Sequence, residues 1–186
     1  MPGLVLLGRE AVREGMTADL DPLKITVDVR GLGISGMQAA EWLRAHCHID
    51  IGSSDTCRIS GQITHADNDH TENLLIDSLR RLVDHADSIE RRPQVLLPGA
   101  GELELEQPVL PRDAFFAKAE HVPAEKAVGR IAAEMLSPYP PGVPVVAPGE
   151  VITSAVVDYL RSGVAAGMLV PDASDPSLET FRVTAE

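Results

Sequence analysis

The chain has 186 residues, of which 44% are apolar but only 3% aromatic, so its core must be built from Leu, Val, Ile and Ala. A formal net charge of -12 repels a phosphate backbone, and the basic residues are scattered, the nearest clusters being Arg80-Arg81 and Arg91-Arg92, so the reading is no nucleic acid. No apolar run approaches the ~20 residues of a membrane span, the opening apolar stretch lacks the basic leader of a signal peptide, and Cys47 and Cys57 make no disulfide framework; the chain reads as cytoplasmic and reduced, with no membrane partner.

Residues 1–22 hold one short apolar run, Leu4-Val5-Leu6-Leu7, a segment of the kind that pairs with a neighbour, followed by a turn-rich stretch. Lys24 to Arg30 alternates apolar and polar residues, the period of a strand with one buried face. After Gly31-Leu32-Gly33, Ser35 and Gln38 form a capping-box pattern that starts a helix, with Met37, Ala40 and Leu43 on one face. Ile49 with Ile51, and Arg58 to Thr64, predict two strands joined by a turn at 52–55. Asp69 with Glu72 predicts a second capping box, behind which Leu75, Leu79, Leu82, Val83 and Ala86 form a stripe running to about His85. The order strand, helix, strand, strand, helix predicts an antiparallel sheet with two helices on one side, a ferredoxin-like α+β sandwich over 23–90.

Residues 91–110 read as a surface linker rich in Pro, Gly and Glu, with at most a short edge strand at 102–106. A second, smaller mixed α/β unit is expected over 111–186. It has a short helix or turn near 113–119, and a stretch at 121–136 that permits helix or strand. The proline-locked segment Ser137-Pro-Tyr-Pro-Pro-Gly-Val-Pro144 cannot be regular structure. A short strand at Val145-Val146 follows, then a helix entered at Pro148-Gly149-Glu150 and a last strand near Phe181 to Val183.

Few of these residues carry chemistry by themselves. His46 and His48 share a face only if both lie on a strand, and no His-x-x-x-His or Cys-x-x-Cys spacing exists, so no metal site is assigned. Neither cysteine has a base nearby, and no nucleophile elbow is present. Gly31, Gly33 and Gly36 satisfy Gly-x-Gly-x-x-Gly, but the strand order that follows is not that of a doubly wound sheet, and tight-turn glycines explain them better. Glu150, placed by this reading in the first turn of a helix, is either a capping carboxylate, stabilised by ~0.3–1 kcal/mol, or an acid held rigidly against something cationic.

The run Ser137 to Pro144 with Pro148-Gly-Glu150, preceded by Ala127-Val-Gly-Arg130 and Pro111-Arg-Asp-Ala-Phe-Phe116, resembles the carboxy-terminal domain of the Orn/Lys/Arg decarboxylase family. Asp21-Pro-Leu-Lys-Ile-Thr-Val-Asp-Val29 and Gly31-Leu-Gly33 look like the small domain that precedes it there, so the resemblance covers nearly the whole chain. It implies decarboxylation of lysine, ornithine or arginine on pyridoxal phosphate, feeding polyamine biosynthesis, in an enzyme that is a homo-oligomer. It also implies that the cofactor lysine and phosphate loop precede residue 1, residues 1–22 being a lead-in from that cofactor domain. The only lysines here are Lys24, Lys118 and Lys126, none in the Ser-x-His-Lys setting the family uses. The expectation is therefore a piece with no catalytic residue of its own, no covalently bound cofactor, and a missing cofactor domain or partner subunit. Within it, Glu150 is the candidate for the substrate's distal cation and Tyr139 for the same entrance. Two competing readings are a non-catalytic amino-acid-sensing or oligomerisation module, which leaves residues 111–186 unaccounted for, and an inert fragment of a longer reading frame.

Overall fold

The computed structural model describes residues 1–15, 17–140 and 142–185, in two compact units, Met1–Arg92 and Pro93–Glu186. In the first unit, β1 (Val5–Leu6), α1 (Glu10–Arg13), β2 (Lys24–Asp28), α2 (Gly36–Cys47), β3 (Ser53–Ser54), β4 (Arg58–Gln62) and α3 (Asp69–His85) follow in order. The sheet is antiparallel with the order β1-β2-β4-β3. This is the α+β sandwich the periodicities predict, with one feature of its own: β1, from the start of the chain, lies beside β2 with Val5 opposite Asp28 and Leu6 opposite Val27. The Leu4 to Leu7 run thus finds its partner in the strand that follows it.

Period two divides the sheet into faces. Ile25, Val27 and Ile59 meet Ala39, Leu43, Leu79 and Leu82 of the two long helices in one apolar cluster. Burial of each large aliphatic side chain contributes roughly 1.5–3 kcal/mol. On the opposite face the Thr26 and Ser60 hydroxyls bond at 2.8 Å. The buried carboxylate of Asp28 takes the Arg30 guanidinium at 2.5 Å, and that hydrogen bond holds its pKa below the usual carboxylate range.

The start of α2 is as the sequence predicts. The Ser35 hydroxyl accepts the Gln38 amide at 3.1 Å, and Gln38 reaches the carbonyl of Glu90 at 2.6 Å, tying the end of the unit to the helix start. The cap of α3 lies one residue earlier than Asp69: the Asn68 side chain accepts the amides of His70 and Thr71, and the Thr71 hydroxyl accepts the Asn68 amide. Asn and Asp cap helices equally well, so adjacent candidates are not distinguished by type. The predicted strand at Ile49 and Ile51 is displaced to β3. Asp55 accepts the amides of Cys57 and Arg58 at 2.6 and 2.7 Å, and this tight turn sets the hairpin register two residues later, leaving the two isoleucines to pack against the core beside the ladder.

In the second unit, α4 (Pro111–Phe116) leads to β5 (Ala119–Pro123), α5 (Ala124–Ala127), α6 (Ser154–Ala165) and β6 (Thr180–Thr184), with β5 and β6 antiparallel. Phe181, Leu136, Ile152, Val156 and Leu160 are among the residues that fill its core. The stretch read as a linker contributes here. Ala100–Leu103 is a 3-10 turn where an edge strand was considered, Leu105 packs on the core, and the Glu106 carbonyl accepts the Val151 amide at 2.8 Å.

The loop before β6 turns on Asp175, whose carboxylate accepts the Ser177 hydroxyl at 2.6 Å and the Thr180 amide and hydroxyl, both at 2.9 Å. It fixes buried Leu178 in a left-handed conformation, φ 55. These bonds, that of Ser177 first, lower the Asp175 pKa from 3.8 to about 2. A depressed folded pKa means stability that is present above 3.8 and lost as pH falls through about 2. Acid titration followed by circular dichroism is expected to show a smaller loss of stability in that window for Asp175→Asn than for the parent; equal slopes would contradict the assignment.

Candidate functional site

The residues singled out by sequence lie on an irregular hairpin in the second unit. Residues 131–139 run antiparallel to 145–152, with Ile131 bridging Val151 and Leu136 bridging Val146, and the first arm is joined to β6 through Ala132 and Val183. The proline-rich segment closes the hairpin: the Gly142 amide donates to the Pro138 carbonyl at 2.9 Å. Tyr139, whose bond to Pro140 is cis, pairs through both backbone groups with Leu169 at 2.7 and 3.1 Å. Tyr139 is 55% exposed, so this end of the hairpin presents the residue to the outside.

Glu150 stands on the second arm and is half-buried. It is not in the first turn of a helix: α6 begins at Ser154, capped by Thr153. Instead Glu150 Oε2 accepts the Ala147 amide at 2.7 Å while its own amide donates to the Ala147 carbonyl at 3.2 Å, so the side chain closes the turn that carries it. Gly149 makes that turn feasible, because its φ is +93 and a Cβ there would lie 2.1 Å from the Val109 carbonyl oxygen. Oε1 has no hydrogen-bond partner among the described residues and remains an acceptor. No hydrogen bond or ring contact joins Glu150 to Tyr139, which sit at different levels of the hairpin.

Two carboxylates here were not singled out from sequence. Glu134, 4% exposed, accepts the Ser174 amide at 2.7 Å and the Arg182 amide at 2.6 Å, one with each oxygen. Asp172 accepts the Ser137 amide at 2.9 Å. The only clue to the first was a charge inside the apolar run Ala132-Ala-Glu-Met-Leu136. Both organise backbone: they pin the 134–137 arm to the 172–182 segment.

Elsewhere, His46 lies in the last turn of α2, stacked 4.8 Å from Trp42, and His48 caps that helix at φ 56, so the extended arrangement a shared metal needs is not formed. Among the described residues no three His, Cys, Asp or Glu side chains assemble as metal ligands, and no helix is long and apolar enough to cross a membrane. Gly31, Gly33 and Gly36 line a 3-10 turn and a tight helix start against an antiparallel sheet. Lys24, Lys118 and Lys126 are all exposed. A lysine that holds pyridoxal phosphate as a Schiff base needs a desolvated setting, and none of these three has one.

Comparison with known proteins places this geometry. Residues 104–172 match the Orn/Lys/Arg decarboxylase, C-terminal domain. Arginine decarboxylase of Halalkalibacterium halodurans is 38% identical over 187 residues, 99% of this chain and 37% of that protein. Arginine decarboxylase of Bacillus anthracis is 39% identical over 189 residues, 100% of this chain and 36% of that protein. Among solved structures, Francisella novicida lysine decarboxylase LdcF aligns with a TM-score of 0.63 and 22% identity over 90% of this chain and 31% of its own, a likeness of fold. The α+β architecture is thus that of a decarboxylase carboxy-terminal region. The chain is similar along nearly its whole length to decarboxylases of the Orn/Lys/Arg family, and it spans little more than a third of the length of the curated relatives it matches.

Proposed function

We propose that these residues are the small and carboxy-terminal domains of a cytoplasmic, oligomeric, pyridoxal-phosphate-dependent decarboxylase of basic amino acids. The observation that carries the reading is the match to arginine decarboxylases along 99% of the chain. In the proposal the cofactor amine comes from residues outside this sequence, in a preceding domain or a partner subunit, and this polypeptide alone releases no carbon dioxide. The exposure of Lys24, Lys118 and Lys126 supports that division of labour.

Glu150 then contributes recognition. Its Oε2 is anchored by the Ala147 amide, which leaves Oε1 on a rigid turn to accept a charge-assisted hydrogen bond from the substrate's distal ammonium or guanidinium. Tyr139, exposed on the proline-locked tip, lines the approach. The test joins this region to its cofactor domain and measures carbon dioxide release from arginine, lysine and ornithine, with the chain alone as control. Activity is expected only in the joined protein, and Glu150→Gln is expected to raise KM for the preferred substrate about tenfold or more. Turnover by the chain alone contradicts the division of labour; unchanged kinetics in Glu150→Gln contradict the role of the carboxylate.

A further inference from the structure

The core of the first unit is not closed. Between the helix-facing side of β2 and β4 and the first half of α3 lies a cavity of about 390 Å³ that opens to solvent. Its floor is the buried Val27, Ile59 and Leu79; Ile25, Ile63 and Leu75 form half-buried walls.

Gly61 lies under this space. It stands within β4 opposite Ile25, two residues from Ile59 and therefore on the same face. Glycine weakens a strand and usually marks a bulge or the close approach of another group. Here the ladder runs regularly through Gly61, and a Cβ at this position meets nothing within 4 Å. A valine would suit the strand and fill the gap, yet the position is left empty and the surrounding isoleucines stay partly wet. A void lined by aliphatic groups over a strand glycine is the shape of a site that receives an apolar body.

The mouth has a sign. The charged side chains that line it are Asp50 and Asp67. Asp50 is engaged by Arg44 at 2.5 Å. Asp67 accepts the Thr64 amide at 2.7 Å and hydroxyl at 3.1 Å, bonds that favour its ionised form. An anionic head would meet repulsion here, and a cationic one would not.

We propose that this cavity binds a small aliphatic molecule with a single cationic head, an alkylamine or alkylguanidine, its chain lying over Gly61 and its head beside Asp67. The site is independent of the decarboxylase reading and needs no cofactor domain.

The experiment is calorimetric titration of the 186-residue chain with butylamine, hexylamine and octylamine, and with octanoate and octanol. Affinity is expected to rise about three- to fourfold per methylene, with octanoate about tenfold or more weaker than octylamine. Gly61→Val is expected to abolish binding and raise the melting temperature. Asp67→Asn is expected to weaken octylamine about threefold or more and leave octanol unchanged. The proposal is overturned if the parent gives no octylamine binding, if octanoate binds as tightly, or if folded Gly61→Val binds like the parent. Should Gly61→Val fail to fold, the methylene series and Asp67→Asn decide the matter between them.

Discussion

Replacing Glu134 with alanine is expected to destabilise the second unit by about 3–5 kcal/mol, the largest effect of any carboxylate substitution in the chain. Glu134 is 4% exposed and each of its oxygens takes a backbone amide, Ser174 at 2.7 Å and Arg182 at 2.6 Å. Alanine leaves both donors without a partner in a setting where the parent side chain is almost wholly buried. Hydrogen bonds to charged groups contribute roughly 1.5–3 kcal/mol each, so the loss of two sets the scale. Glutamine is a graded control: its amide keeps one acceptor but turns a donor toward the other amide, so it should fall between parent and alanine. Urea unfolding monitored by circular dichroism measures both. A loss below about 1 kcal/mol for the alanine variant would mean that the amides find other partners.

Gly36→Ala is expected to reverse the usual helix rule. In an exposed helix interior, glycine to alanine gains roughly 0.5–1 kcal/mol. At Gly36 the new Cβ would fall 1.9 Å from the Arg58 carbonyl oxygen and 2.7 Å from that of Asp55. Both are backbone, so no flexible side chain can yield. The α2 start must then withdraw from β4, disturbing the Ser35 cap and the Met37 amide bond to Asp55 at 3.1 Å. A destabilisation of about 2–3 kcal/mol is expected from such overpacking, read as a lowered urea midpoint. An unchanged or raised midpoint would show that the helix and hairpin do not approach as closely as described.

The sandwich was legible because each element carried its own period: Lys24 to Asp28 alternates, and Leu75, Leu79 and Leu82 recur at helical spacing. What the sequence left ambiguous was set by single side chains acting across short distances. Asp55 moved a hairpin, and Asn68 took a cap that its neighbour Asp69 equally offered. The second unit was harder to read, since its arms at 131–139 and 145–152 meet through isolated bridges rather than a sustained ladder, leaving no period to detect. The proline-locked tip and Glu150 stood out by composition. Glu134 and Asp172 did not, because an acid that serves backbone amides looks in sequence like any solvated acid.

The pairing of Val5 and Leu6 with β2 has a practical bearing on where this region can be cut. A clone begun at Leu23, where the sandwich first announces itself, would strip a central strand of its neighbour and turn Val27 and Asp28 into a raw border. Unsheathed borders of that kind template stacking between molecules, so the first seven residues act as a hem that keeps the sheet from fraying into its own copies.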